Sequence, residues 1–336
     1  MALADRLDRF QQRRPWAGFP IAVTYKYADD QGNYLAALMT YYGFLSLFPL
    51  LLLFSSVLGF ALQGDPGLQQ RILDSALGQF PVIGDQLSRP GGLQGSGLAI
   101  VVGVVGSLYG ALGVAQAVQY AMNVMWAVPR TKRPNPVVAR LRSLLLLATG
   151  GLAILGTTIM SALGGSAGAF GAELGIGLKL VITLLSVALN AAVFILAFRV
   201  ATAERLSLRA TAPGAVTAAV CWQLLQLLGT AYVGHVVKNA SATNGVFALV
   251  LGLIAWIFLG AVSVVFCVEI NVVRTHRLYP RALLTPFTEQ VNLTTADQRA
   301  YSGYATAQRS KESESVEVSF EDGGQHARRD ESDDSH

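Results

Sequence analysis

Six stretches of the chain contain no Asp, Glu, Lys or Arg: residues 31–64, 90–129, 143–172, 180–198, 210–237 and 239–268. Each supplies about the 20 residues that an α-helix needs to cross roughly 30 Å of hydrocarbon. Within them the apolar side chains do not alternate with period two, as strands of a membrane barrel would. Only 14% of the residues are charged and 52% are hydrophobic, with a mean hydropathy of +0.46. A water-soluble domain carries about 25% charged residues, so this chain lacks the charge to cover a wet surface.

The sequence therefore predicts an all-α fold, a polytopic membrane helix bundle with about six transmembrane helices. The expected spans are Leu35–Ala61, Gly97–Val118 (with the helix continuing to Trp126), Ser143–Leu163, Leu178–Ala197, Gly214–Val236 and Gly245–Val273. Positive charge near the spans sets orientation. Of the 25 Lys and Arg, 21 fall in the N-terminal segment, the second and fourth connections and the C-terminal tail, and four fall on the other side. Both termini are thus expected inside, in a bacterial cytoplasmic membrane. The early charges Asp5, Arg6, Asp8 and Arg9 exclude a secretory signal peptide at this end. The pI near 9.1 then reflects topology and an affinity for anionic lipid headgroups on the inner side, and nucleic acid is not expected as a partner.

Three segments follow. Residues 1–34 are expected to form a cytoplasmic segment in which Leu3, Leu7 and Phe10, beside Arg6, Arg9, Arg13 and Arg14, make a short interfacial amphipathic helix. Residues 35–273 form the six-helix domain. Residues 274–336 form a cytoplasmic tail, poor in apolar residues and expected to be disordered from about 285. An outer amphipathic helix is expected after the first span, with Asp65 as N-cap and Pro66 at its first position. Cys221 and Cys267 fall inside spans as small apolar packers.

Chemistry-bearing motifs are few. No phosphate loop, nucleophile elbow, H-E-x-x-H or C-x-x-C occurs, and the four histidines are scattered. No catalytic residue, metal ligand or cofactor is expected. Polar stripes inside the spans stand out instead. Pro49 lies near the middle of the first span, where it removes a backbone donor and kinks a helix. Tyr42, Ser46 and Ser56 share roughly its face. Thr183, Ser186 and Asn190 recur in the fourth span, Gln223, Gln226 and Thr230 in the fifth, and Tyr109, Gln116 and Asn123 in the second. Facing lipid such groups are costly, so they should point inward. They serve either interhelical hydrogen bonding or a hydrated pathway. The run Gly103, Gly106, Gly110, Gly113 reads as a packing seam. Glu269, near the inner end of the last span, either pairs with an arginine such as Arg199 or serves a substrate or proton path.

Two stretches resemble a known family. Tyr41-Tyr42-Gly43-Phe44-Leu45-Ser46-Leu47-Phe48-Pro49-Leu50-Leu51 is similar to the first-span signature of the YihY/BrkB family of bacterial membrane proteins, once labelled ribonuclease BN. Pro213-Gly214-Ala215, Ala240-Ser241, Gly245-Val246-Phe247, Trp256 and Glu269-Ile270-Asn271 follow in the family's order. Arg277-Leu278-Tyr279-Pro280-Arg281 resembles the segment after the last span in actinobacterial members. Asn244 and Thr40 depart from the usual Tyr and Ala. The resemblance covers roughly residues 20–284. It implies a six-span inner-membrane protein, with members linked to serum resistance and to transport or lipid handling in the envelope. A nuclease would need positioned acids, bases or metals facing water, which these residues do not supply.

The expected function is that of a transporter or flippase-like permease for an amphipathic or polar envelope substrate. Its candidate pathway residues are Tyr42, Ser46, Pro49, Asn190, Gln223, Gln226 and Glu269. The alternative is a non-transporting membrane scaffold that docks envelope partner proteins. A lipid-modifying enzyme would require a second titratable group beside Glu269.

Overall fold

The computed structural model describes residues 2–61, 97–169, 176–232, 242–283, 285 and 292–320, with side chains for part of these. Among them the secondary structure is helical throughout: α1 (Ala2–Arg13), α2 (Pro15–Asp29), α3 (Gly32–Ala61), α4 (Gly97–Met125), a 3-10 turn (Arg130–Lys132), α5 (Pro136–Ala169), α6 (Ile176–Ala201), α7 (Leu208–Tyr232), α8 (Ala242–His276) and α9 (Thr295–Ala307). The expected spans fall one to each of α3–α8, the end of the fifth lying outside the described residues. The outer helix expected after Asp65 also lies outside them, as does the tail beyond residue 320.

Each of the six long helices packs on the next, and α8 returns to pack on α3, so α3–α8 close a ring. Their apolar faces are turned outward. On α7, Val216, Val220, Leu224 and Leu227 recur at helical spacing and are exposed, while Ala215, Ala218, Ala219 and Leu225 are buried. A soluble bundle would put its large apolar side chains inside. Three helices contain stretches long and apolar enough to cross a membrane among the described residues: Thr183–Ala201 in α6, Leu208–Gly229 in α7 and Val250–His276 in α8.

Small residues set the closest approaches. A Cβ on Gly113 would lie 2.3 Å from the Tyr42 ring, and one on Gly110 would lie 2.7 Å from the Ser46 Cα. The C-terminal half of the predicted glycine seam therefore receives α3. The α7–α8 crossing is tighter still. A Cβ on Gly214 would meet the Cys267 carbonyl oxygen at 2.0 Å. Pro213 lies inside α7 and weakens its backbone ladder there. The Asn271 amide bridges that place, accepting from the Gly214 N–H at 2.7 Å and donating to the Thr211 carbonyl at 3.0 Å. Two motifs far apart in sequence, Pro213-Gly214 and Asn271, thus form one contact. Gly214→Ala is expected to lower stability by about 1–3 kcal/mol through overpacking, read by denaturation of the purified protein in detergent.

The polar stripes are only partly turned inward. Asn123 is buried and accepts from the Ala203 N–H at 2.9 Å. Tyr109 is 66% exposed, however, and Gln116 and Thr183 are exposed as well, which corrects the expectation that they point inward. Seven-residue steps drift about 20° per heptad on a straight helix, so Tyr109 and Asn123 lie only about 40° apart around α4 and differ in burial through their position along it.

The tail also departs from expectation. Thr295–Ala307 is a helix, not a disordered segment. Thr294 caps it by accepting from the Asp297 N–H at 3.1 Å, while the Asp297 carboxylate accepts from the Thr294 N–H at 3.0 Å. Ala296 and Ala300 are buried against the bundle. This packing supplies what the polar composition lacks.

Candidate functional site

At the end of the bundle where α2 enters α3, the terminal segments fold over the last long helix. Pro15 starts α2, which packs along α8. This brings Lys26 against the C-terminal part of α8. Lys26 and Asp30, one helical turn apart, form a buried ion pair, and the Lys26 ammonium also donates to the Met125 carbonyl at 3.1 Å. Its Nζ lies 3.9 Å from Glu269 Oε2 and 4.9 Å from the centre of the Tyr304 ring.

Glu269 is fully buried, and no N–H or hydroxyl group among the described residues donates to either of its oxygens. The pairing with Arg199 does not form: the Arg199 Nε donates to the Leu206 carbonyl at 3.0 Å. The fold-back of α2 supplies a cation from a segment distant in sequence. One ammonium therefore serves two carboxylates, Asp30 and Glu269. Burial pushes the Asp30 carboxyl above the ordinary carboxylate range, against the pull of Lys26. Burial likewise raises the Tyr304 phenol, whose hydroxyl has no hydrogen-bond partner among the described residues.

A second knot lies beside this cluster. Arg281 is 1% exposed and bridges Asp297 of α9, through Nε, to Asp29 of α2, through a terminal nitrogen at 3.0 Å. The two carboxylates hold the Arg281 guanidinium firmly in its charged form. The Asp8 carboxylate of α1 accepts from the Leu283 N–H at 3.0 Å, and Asp297 accepts from the Ala282 N–H at 3.0 Å. Both terminal segments are thus tied to one another on one side of the bundle.

A cavity of about 460 Å³ opens against these groups. Asp29, Asp30, Tyr34, Tyr120, Arg133 and Tyr304 supply its polar lining, and Leu35 and Leu38 part of its apolar wall. The seven residues singled out from sequence are not among its lining. Tyr42 and Ser46 meet the α4 glycines, and the Ser46 hydroxyl donates to the Gly43 carbonyl at 3.0 Å. Asn190 on α6 and Gln223 and Gln226 on α7 are half-buried. Pro49 lies within α3, with its side chain outside the described residues. Glu269 alone of the seven belongs to the charge cluster. Lys26, Asp30, Arg281, Asp297 and Tyr304 join the site without standing among the residues the sequence points to. The available signals were the i,i+4 spacing of Lys26 and Asp30 and the Thr294-x-x-Asp297 capping pattern.

Outward-facing apolar helices enclosing a polar end define a helical membrane protein. The chain belongs to the family described as virulence factor BrkB, which matches residues 23–290. That is the family its Tyr41–Leu51 and Pro213–Arg281 motifs resemble. No curated protein and no solved structure matches the chain.

Proposed function

We propose that this protein is a six-span permease of the bacterial inner membrane, both termini inside, that moves an amphipathic or polar envelope substrate. The cavity beside the charge cluster is its inner vestibule. One observation carries this reading: a fully buried Glu269 shares a single ammonium with Asp30 next to that cavity. The energetics disfavour a purely structural role. Attraction between unit charges about 4 Å apart is about 4 kcal/mol at an effective dielectric of 20. Desolvation costs several kcal/mol for each of the ions involved. Apolar packing would hold the same helices at lower cost, and ionisable groups in membrane proteins concentrate on transport paths. Mixed polar and apolar walls suit a substrate with both kinds of surface.

The scaffold reading draws on Tyr42 and Ser46, which sit in a helix–helix seam, but it leaves Glu269 without a use. Glu269 does not line the cavity, which argues against acid–base chemistry by this carboxylate on a bound lipid. The test is lipid and metabolite profiling of a deletion strain complemented by wild type or by Glu269→Gln. At equal membrane abundance, Glu269→Gln is expected to leave the altered species about tenfold or more from their wild-type levels, as in the deletion strain. Full complementation by Glu269→Gln would remove that carboxylate from the mechanism.

A further inference from the structure

The corner between α1 and α2 carries a feature that the permease reading does not use. Arg6, Arg9, Phe10 and Arg13 stand at i, i+3, i+4 and i+7, on one face of α1. Arg14 then leaves the helix in an extended conformation (φ −126°, ψ 99°), and Pro15 restarts the chain as α2. The break folds the Arg14 guanidinium over the Phe10 ring, 5.2 Å from its centre. The result is a cavity of about 360 Å³ lined by Arg6, Arg9, Phe10, Arg13 and Arg14. Four arginines therefore border one open concavity.

Among the described side chains of α1, the Asp8 carboxylate has its partners elsewhere. Asp8 accepts from Gln11, Gln12 and the Leu283 N–H, which ties α1 to the C-terminal segment. Beside the arginines stands an apolar rim. Leu7 is 54% exposed and Trp16 68% exposed, with Trp16 packed edge-on against Phe10 at 6.2 Å. Charge in a pocket with large apolar side chains at its margin matches a phosphate fixed at the surface of an acyl layer. Free phosphate would have no use for the rim.

We propose that the α1–α2 corner is a discrete binding site for the phosphate headgroup of an anionic membrane lipid, with Leu7 and Trp16 entering the acyl region beside it. Guanidinium groups can grip phosphate oxygens two at a time, which an ammonium cannot do. A built site of this kind is sensitive to the shape of the cation. General attraction to a negative leaflet depends on charge alone.

The test uses full-length protein in detergent, with bound phosphatidylglycerol and phosphatidylcholine measured by native mass spectrometry. Wild type is expected to retain phosphatidylglycerol over phosphatidylcholine. The quadruple variant Arg6→Lys, Arg9→Lys, Arg13→Lys, Arg14→Lys keeps every charge and is expected to lose about fivefold in that affinity, with its melting temperature unchanged. Because these side chains are exposed, the fold does not depend on them. Replacing Trp16 by Ala is expected to weaken phosphatidylglycerol retention while leaving any binding of inorganic phosphate unaltered. Three outcomes would overturn the proposal. One is a lysine variant that holds phosphatidylglycerol as well as wild type does. Another is complete displacement of the lipid by inorganic phosphate. The third is tighter binding of a duplex oligonucleotide than of the lipid.

Discussion

Arg281→Ala is expected to destabilise the protein by about 3–5 kcal/mol, the usual consequence of removing one partner from a buried charge pair. The guanidinium addresses two carboxylates from two segments, Asp29 at the end of α2 and Asp297 in the first turn of α9. Its loss leaves Asp297 fully buried without a cation, and Asp297 also holds the Thr294 cap and the Ala282 N–H. The C-terminal helix should therefore detach as a unit. Limited proteolysis would show new cleavage between residues 283 and 300 at temperatures where the wild type is resistant. Arg281→Lys should recover little, since a point ammonium cannot reach both carboxylates in the geometry of the fork. Adding Asp297→Asn to Arg281→Ala should restore part of the loss, because it removes the stranded charge. Denaturation in mixed micelles measures the first effect, and proteolysis of the double variant measures the second.

Lys26→Met is expected to cost a similar amount, about 3–5 kcal/mol, for a different reason. It deletes the one ammonium among the described residues that faces both Asp30 and Glu269, and the Met125 carbonyl loses the Lys26 donor. Methionine preserves the length and apolar stem of the side chain, so the effect reports charge rather than a cavity. A double-mutant cycle with Glu269→Gln gives the decisive reading. If Lys26 compensates Glu269 across the 3.9 Å separation, Lys26→Met should be less damaging when Glu269 is already neutral. Strict additivity of the two substitutions would show that Lys26 serves Asp30 alone.

Much of the helical architecture could be read from the chain because one physical signal, the absence of charge over lengths that match a bilayer, is local and repeated. The helices α3–α8 extend beyond the expected spans at several ends, most clearly at Pro136 and Leu208, where arginines in the first two turns (Arg140, Arg142 and Arg209) hide helix from a hydropathy reading. The amphipathic spacing around Leu7 and Phe10 gave α1 in the same way. What stayed hidden is non-local. Nothing near Glu269 in the sequence indicates Lys26, more than two hundred residues away, and the nearer arginines looked like its natural partners. The helix α9 was masked by a polar composition that predicts disorder, although its capping residues were visible. The polarity of Tyr42 and Ser46 is what marks them in the sequence. Their neighbours across the seam, Gly113 and Gly110, show that packing governs them as well.

Hydrogen bonds and an ion pair join α1 and α2 to residues 281–283, and the topology we propose from the distribution of Lys and Arg puts both terminal segments in the cytoplasm. Alkaline phosphatase and a fluorescent protein fused in turn before Met1 and after His336 test this in cells. Fluorescence without phosphatase activity at both ends is the expected result. Phosphatase activity at either end would place a terminus outside and contradict it.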